Sequence, residues 1–176
     1  EQGDRRDDTP PEETFSGQSL IPQAGNIRGI IEVLSSKTIL DYGSGKAKIH
    51  ENLKIEGPDG KHYLDIKSFW GVESITCYDP GFAPFDTLPE GKFDGVIATD
   101  VLEHCPRQDL PWIIDEIFSF ADEFVYMNVA CHPARRILPN GENAHCTVEP
   151  SEWWQAIFDD VVAEHPGLRY FAAFHI

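Results

Sequence analysis

Apolar residues along this chain follow two rhythms, short continuous or alternating runs and longer segments that repeat every three or four positions. Ile27, Ile30, Ile31 and Leu34 fall at helical spacing behind Pro22 and predict an amphipathic helix. Thr38 to Asp41 predicts a first strand, followed by a glycine turn and then a helix over Lys46 to Lys54. Glu56 to Phe69, with Gly-Pro-Asp-Gly and mixed polarity, reads as an inserted loop. Ser74 to Tyr78 and Phe93 to Thr99 read as strands, and an acid follows each of them, Asp79 and Asp100. Leu110, Ile113, Ile114, Ile117 and Ala121 mark a second major helix, and Phe124 to Ala130 a buried strand. A long loop from Cys131 to Glu149 then leads to a helix opened by Pro150-Ser151, with Trp153, Trp154, Ile157, Phe158, Val161 and Val162 on its apolar face. Leu168 to Ile176 reads as a closing strand.

Strands that alternate with helices imply parallel pairing, with helices over both faces of the sheet. Ligands of such sheets sit beyond the carboxyl ends of the strands. The glycine turn, Asp79, Asp100 and the Cys131 loop all follow strand ends, so they should converge on one crevice. Residues 1–14 lack apolar side chains and read as a flexible acidic tail, which leaves 15–176 as a single domain.

Charge narrows the partners. Fourteen Lys and Arg face thirty Asp and Glu, a formal net charge of −16. A nucleic-acid binder needs cations to displace counterions from phosphates, so no nucleic-acid partner is expected and a small molecule fits better. No run approaches membrane-spanning length, so no membrane partner is expected. The four cysteines lack the dense spacing of a disulfide scaffold, which points to a reduced, cytoplasmic protein.

The most informative stretch is Thr38-Ile-Leu-Asp-Tyr-Gly-Ser-Gly-Lys-Ala47, where a strand ends in an acid and turns through two glycines spaced one apart. Such a turn exposes bare backbone to a nucleoside-sized ligand. A dinucleotide fingerprint needs a third glycine where this chain has Lys48, and no phosphate-binding P-loop is present.

Ile39-Leu40-Asp41-Tyr42-Gly43-Ser44-Gly45 resembles the first motif of class I S-adenosylmethionine-dependent methyltransferases. Asp79, after Ile75-Thr76-Cys77-Tyr78, resembles their ribose-binding acid, and Phe93 to Ile97 with Asp100-Val101-Leu102-Glu103-His104 resembles their fourth-strand motif. The resemblance implies an α/β, Rossmann-like three-layer sandwich with a mostly parallel sheet. That sheet is abbreviated in the third-strand region, because Asp79 to Phe93 is too short for a further helix and strand. It also implies S-adenosylmethionine as cofactor, held by Asp41, Tyr42, Gly43, Ser44, Gly45, Asp79 and Pro80. Asp86 would lie toward adenine, with Asp100 and Val101 on the far side. The implied activity is methyl transfer to a small-molecule acceptor. The alternative is a non-catalytic module that binds S-adenosylmethionine or S-adenosylhomocysteine.

Transfer from a sulfonium asks the protein to align the acceptor and remove its proton. His104, just past a strand end, is the first base candidate, with His132 and His145 in the long loop behind it. Against this, Glu103-His104 could simply cap the next segment. Asn140, Asn143 and His145 are candidates for holding the acceptor, unless Asn140-Gly141 is only a surface turn. The pairs His104-Cys105, Cys131-His132 and His145-Cys146 could supply zinc ligands, but no Cys-x-x-Cys or His-x-x-x-His spacing supports that, and no metal is expected. Trp153 and Trp154 could line the acceptor pocket or the core. Phe15 to Gln23, ahead of the first helix, is placed to fold over the site as a lid.

Overall fold

A strand buried on both faces must present apolar groups to both, and the helices that cover it come from the connections between strands. The computed structural model describes residues 16–51, 54–58, 60–138 and 140–176, so the expected tail of residues 1–14 lies outside the described residues. In chain order the elements are α1 (Ala24–Leu34), β1 (Thr38–Tyr42), β2 (Ile55–Glu56), β3 (His62–Tyr63), α2 (Ile66–Trp70), β4 (Ser74–Tyr78), β5 (Phe93–Thr99), α3 (Leu110–Ser119), β6 (Ala121–Ala130), α4 (Ser151–Ala163) and β7 (Arg169–His175). Five strands form one all-parallel sheet in the order β4-β1-β5-β6-β7, giving a Rossmann-like α/β fold.

The alternation within each strand assigns the two layers. Leu40, Val96, Ala98, Val125 and Met127 pack with Ile114, Ile117 and Phe118 of α3 and with Trp154 and Phe158 of α4. Ile39, Ile97, Phe124 and Tyr126 point the other way, toward Ile27 and Ile31 of α1 and Phe69 and Trp70 of α2. The Trp70 indole N–H donates to the Ala24 carbonyl at 2.9 Å, which fixes α2 against the start of α1. Each side chain in these sets has under 6% of its surface exposed, so both layers are true core.

Two segments depart from the sequence reading. Lys46 to Lys54 does not form a helix: within its described part only Lys48–His50 makes a single 3-10 turn. The reason is local, since Gly45 and Ala47 both take left-handed backbone (φ 57° and 46°), which interrupts helical geometry. Glu56 to Phe69 is not simply a loop, because it contributes to the antiparallel pair β2–β3 and to most of α2. Asp65 opens that helix, its carboxylate accepting from the Ser68 N–H at 2.6 Å, an N-cap concealed within a polar stretch. Ala121, expected at the end of a helix, begins β6.

The shortened third-strand region is as expected, with a 3-10 turn at Ala83–Phe85 and no strand between β4 and β5. No helix among the described residues is long and apolar enough to cross a membrane.

Gly95 in β5 lies where a Cβ would clash with the ring of Phe124 and meet Ile39 Cδ1 at 3.0 Å. Alanine normally stabilises a strand interior relative to glycine, but here overpacking should dominate. Gly95→Ala should cost about 1–3 kcal/mol in urea unfolding. Combining it with Phe124→Leu should cost less than the sum of the two single changes. An additive double-mutant cycle would show that the ring does not set the constraint.

Candidate functional site

The sheet order reverses at β1: the chain leaves it toward β4 on one side and returns to β5 on the other. A crevice opens beyond the carboxyl ends of strands at such a point. Here it has a volume of about 1090 Å³ and is lined by residues following β1, β4 and β5.

Hydrogen bonds knit the ends of β1 and β4 together, and the end of β5 joins them by packing. The N–H groups of Gly43 and Ser44 both donate to the Tyr78 carbonyl, at 2.7 and 3.1 Å. Asp79 joins the ends of β1 and β4: one carboxylate oxygen accepts from Gly45 N–H and the other from Gly81 N–H, both at 2.8 Å. Gly43 has φ 76°, and a Cβ there would sit 2.5 Å from Val101 Cγ2, so neither its conformation nor its neighbour tolerates a side chain. Past β5, Asp100 holds a left-handed φ of 62° while its N–H donates to the Asn128 carbonyl at 3.0 Å. Non-glycine residues in that conformation store strain and concentrate at functional sites.

Of the residues singled out from sequence, Tyr42, Gly43, Ser44, Gly45, Asp79, Pro80, Asp100, Val101 and His104 line the crevice. Asp41 and Asp86 do not. The Asp41 carboxylate is buried and hydrogen-bonded to His50 Nε2 at 2.7 Å. Asp86 follows the Ala83–Phe85 turn. Asn140 and Asn143 also lie off the crevice: Asn140 bonds Glu142, and Asn143 uses its amide to tie Ala134 and His145 within its own loop. Asn143 shapes the loop from within.

His145 is nearly buried behind the crevice wall, its ring edge-on to that of His104 with centroids 4.8 Å apart. His132 is exposed and off the crevice, although its carbonyl accepts from His145 Nδ1 at 2.7 Å. Of the cysteines paired with these histidines in sequence, Cys105 lines the crevice with its Sγ directed to the Val101 carbonyl, and Cys146 Sγ is directed to the His104 carbonyl. Trp154 belongs wholly to the core. Residues Ser16 to Ser19, part of the segment expected to act as a lid, form one wall of the crevice, with Ser16 accepting from Ile49 N–H at 3.2 Å.

Several lining groups were not singled out as site residues. Glu116 of α3 accepts from the Tyr42 hydroxyl at 2.6 Å, and Tyr42 meets Tyr78 edge-to-face at 5.1 Å. Burial first, then the Glu116 carboxylate, holds the Tyr42 phenol protonated well above its usual range. Trp112, 56% exposed, stands at the rim. The sequence signal for Glu116 was its position three residues after Ile113, on the flank of the helix's apolar face.

Glu103 is fully buried, with Oε1 accepting from Ala130 N–H at 2.6 Å and Oε2 without a hydrogen-bond partner among the described residues. Burial pushes its pKa up to about 7 against the pull of the Ala130 N–H.

Chemically, the crevice joins exposed backbone, aromatic faces and three carboxylates, Asp79, Asp100 and Glu116, with Lys48 the only lysine or arginine among its described lining residues. Among the described residues only the short Lys48–His50 turn follows the glycine turn, in place of the long helix N-terminus that supports phosphate binding in other α/β sites. A cationic or neutral ligand suits this lining better than a phosphorylated one. Searches against protein-family models, curated proteins and solved structures find no match for this chain.

The buried Asp41–His50 pair makes a pH prediction. Burial lowers the His50 pKa, but hydrogen bonds to Asp41 and Cys77 and the Asp41 charge outweigh it and raise it to about 10. An unfolded histidine titrates near 6.5. The stabilisation is therefore whole below about pH 6.5 and drains away as pH rises through about 10. Unfolding free energy should fall over that window by something on the order of 2–4 kcal/mol more in the wild type than in His50→Gln. Equal slopes in denaturant titrations across that pH range would refute the charged pair.

Proposed function

We propose that this protein binds S-adenosylmethionine in the crevice and transfers its methyl group to a small-molecule acceptor. The observation that carries the reading is convergence: the glycine turn, Asp79 and the Asp100–His104 segment, separate in sequence, line one cavity at the reversal point of the sheet. Asp79 fits a ribose diol, because each carboxylate oxygen accepts one backbone N–H and retains a lone pair for a hydroxyl. The exposed backbone of Gly43 to Gly45 gives a flat ligand close approach. Tyr42, Tyr78 and Trp112, with the nearby Glu116 carboxylate, suit a sulfonium by cation–π and charge attraction.

S-adenosylmethionine supplies an already activated methyl, so orientation and proton removal are what remain for the protein. Asp100 and His104 occupy the acceptor side. The His104 Nδ1–H donates to the Ala144 carbonyl at 2.8 Å, leaving Nε2 as the acceptor that can take a proton or hold the incoming group. His145 stands behind it and supports its ring.

A non-catalytic binding module is the second reading, favoured by the Asp79-to-Phe93 connection, which lacks a strand and leaves one side of the crevice lightly built. Calorimetry separates binding from its absence: the wild type should bind S-adenosylmethionine, and Asp79→Ala should weaken binding about tenfold or more, at least ~1.4 kcal/mol. No heat of binding at high ligand concentration defeats both readings. Incubation with methyl-labelled cofactor and a metabolite extract then distinguishes them. Label should pass to an acceptor fraction, and His104→Ala should reduce it; tight binding without transfer to any fraction selects the module.

A further inference from the structure

We propose that Asp100, His104 and His145 form a binding site for one divalent transition-metal ion at the edge of the crevice. One donor atom from each residue lies within 4.8 Å of the others, and His104 Nε2 stands 4.0 Å from Asp100 Oδ1. Two donors on a common ion, at bond lengths of about 2.0–2.2 Å, stand about 3.4 Å apart. The cluster therefore needs to contract by about an ångström, which side-chain rotation of the exposed Asp100 can supply.

The imidazoles are prepared for this role from behind. His104 Nδ1 donates to the Ala144 carbonyl at 2.8 Å, and His145 Nδ1 to the His132 carbonyl at 2.7 Å. Each bond fixes the tautomer that carries its lone pair on Nε2, as metal-binding histidines require. Among the described residues, neither Nε2 has a hydrogen-bond partner. The rings meet edge-on, and Asp100 Oδ1 faces His104 Nε2 at 4.0 Å, too long for a hydrogen bond and a gap that an ion would close. Asn143 holds the loop in register by accepting from both Ala134 N–H and His145 N–H at 2.9 Å.

Donor chemistry selects the ion. Two imidazoles and one carboxylate suit Zn²⁺, Fe²⁺, Co²⁺ or Mn²⁺, whereas Mg²⁺ and Ca²⁺ favour oxygen ligands throughout. Three protein ligands also leave coordination positions open, and because Asp100 and His104 line the crevice, those positions face it. The second cluster of similar span, Asp41, His50 and Cys77, lacks this character. Both nitrogens of His50 are already bonded, to Asp41 and to Cys77, and Asp41 is buried.

An ion here would take the His104 Nε2 lone pair otherwise free for proton removal, so the test uses metal alone and is read apart from cofactor binding. Protein stripped with chelator and dialysed is titrated with zinc chloride by calorimetry and with cobalt chloride by visible absorption. One ion should bind per chain, with the cobalt bands of a nitrogen–oxygen site. Asp100→Asn and His145→Ala should each weaken binding at least about tenfold, and His50→Gln should leave it unchanged. Asparagine tolerates the left-handed backbone at position 100, so Asp100→Asn removes the ligand without removing the fold, which circular dichroism checks. Failure of the wild type to bind stoichiometrically, wild-type affinity in folded Asp100→Asn, or loss of binding in His50→Gln each overturns the site. S-adenosylmethionine calorimetry on the same stripped protein reports the cofactor reading separately.

Discussion

Everything that could act in this protein depends on where β1 sits. It is the strand from which the sheet grows in both directions, with β4 on one side and β5 on the other. Parallel pairing then puts the three carboxyl ends at the same edge, so their turns have to meet. Backbone donors in those turns need acceptors, and the Tyr78 carbonyl and the Asp79 carboxylate supply them. The crevice follows from satisfying backbone polarity at a point where the layers cannot close.

Around that edge the chain separates its ionisable groups by depth. Buried Asp41 and half-buried His50 form an ion pair that spans the glycine turn, one residue on each side of it. Asp79 and Asp100 stay at the surface of the cavity, each beside backbone in an unusual conformation. Glu103, wholly buried, anchors the end of β6 through Ala130 N–H, and its main-chain carbonyl accepts from Thr147 N–H. One short segment, residues 100–104, thus faces the crevice with Asp100 and His104 while Glu103 ties it to the core. That division keeps the exposed groups fixed without tying up their outward-facing atoms.

The fold was largely legible because its signal is periodic. Ser74–Tyr78 and Phe93–Thr99 were readable to the residue, since each β-rich run is bounded by polar or glycine-containing turns. The stretch after Gly45 misled because its composition permits a helix while its backbone, left-handed at Gly45 and Ala47, does not. The 54–70 region hid a cap and a hairpin too short for any window to detect. At the site, residues that follow strands could be placed by topology alone, which is why Gly43, Asp79, Asp100 and His104 converge. Asn143 and Asp41 could not be assigned that way, because a polar side chain that serves the loop or the core looks the same in sequence as one that serves a ligand.

Because Gly43 has no side chain, the glycine turn packs closely against Val101, the residue after Asp100. A Cβ at position 43 would lie 2.5 Å from a Val101 methyl, so a side chain there would push on the backbone that carries Asp100. That backbone is already under left-handed strain and is tied to Asn128. A single methyl added to the turn would therefore be felt at the opposite wall of the crevice.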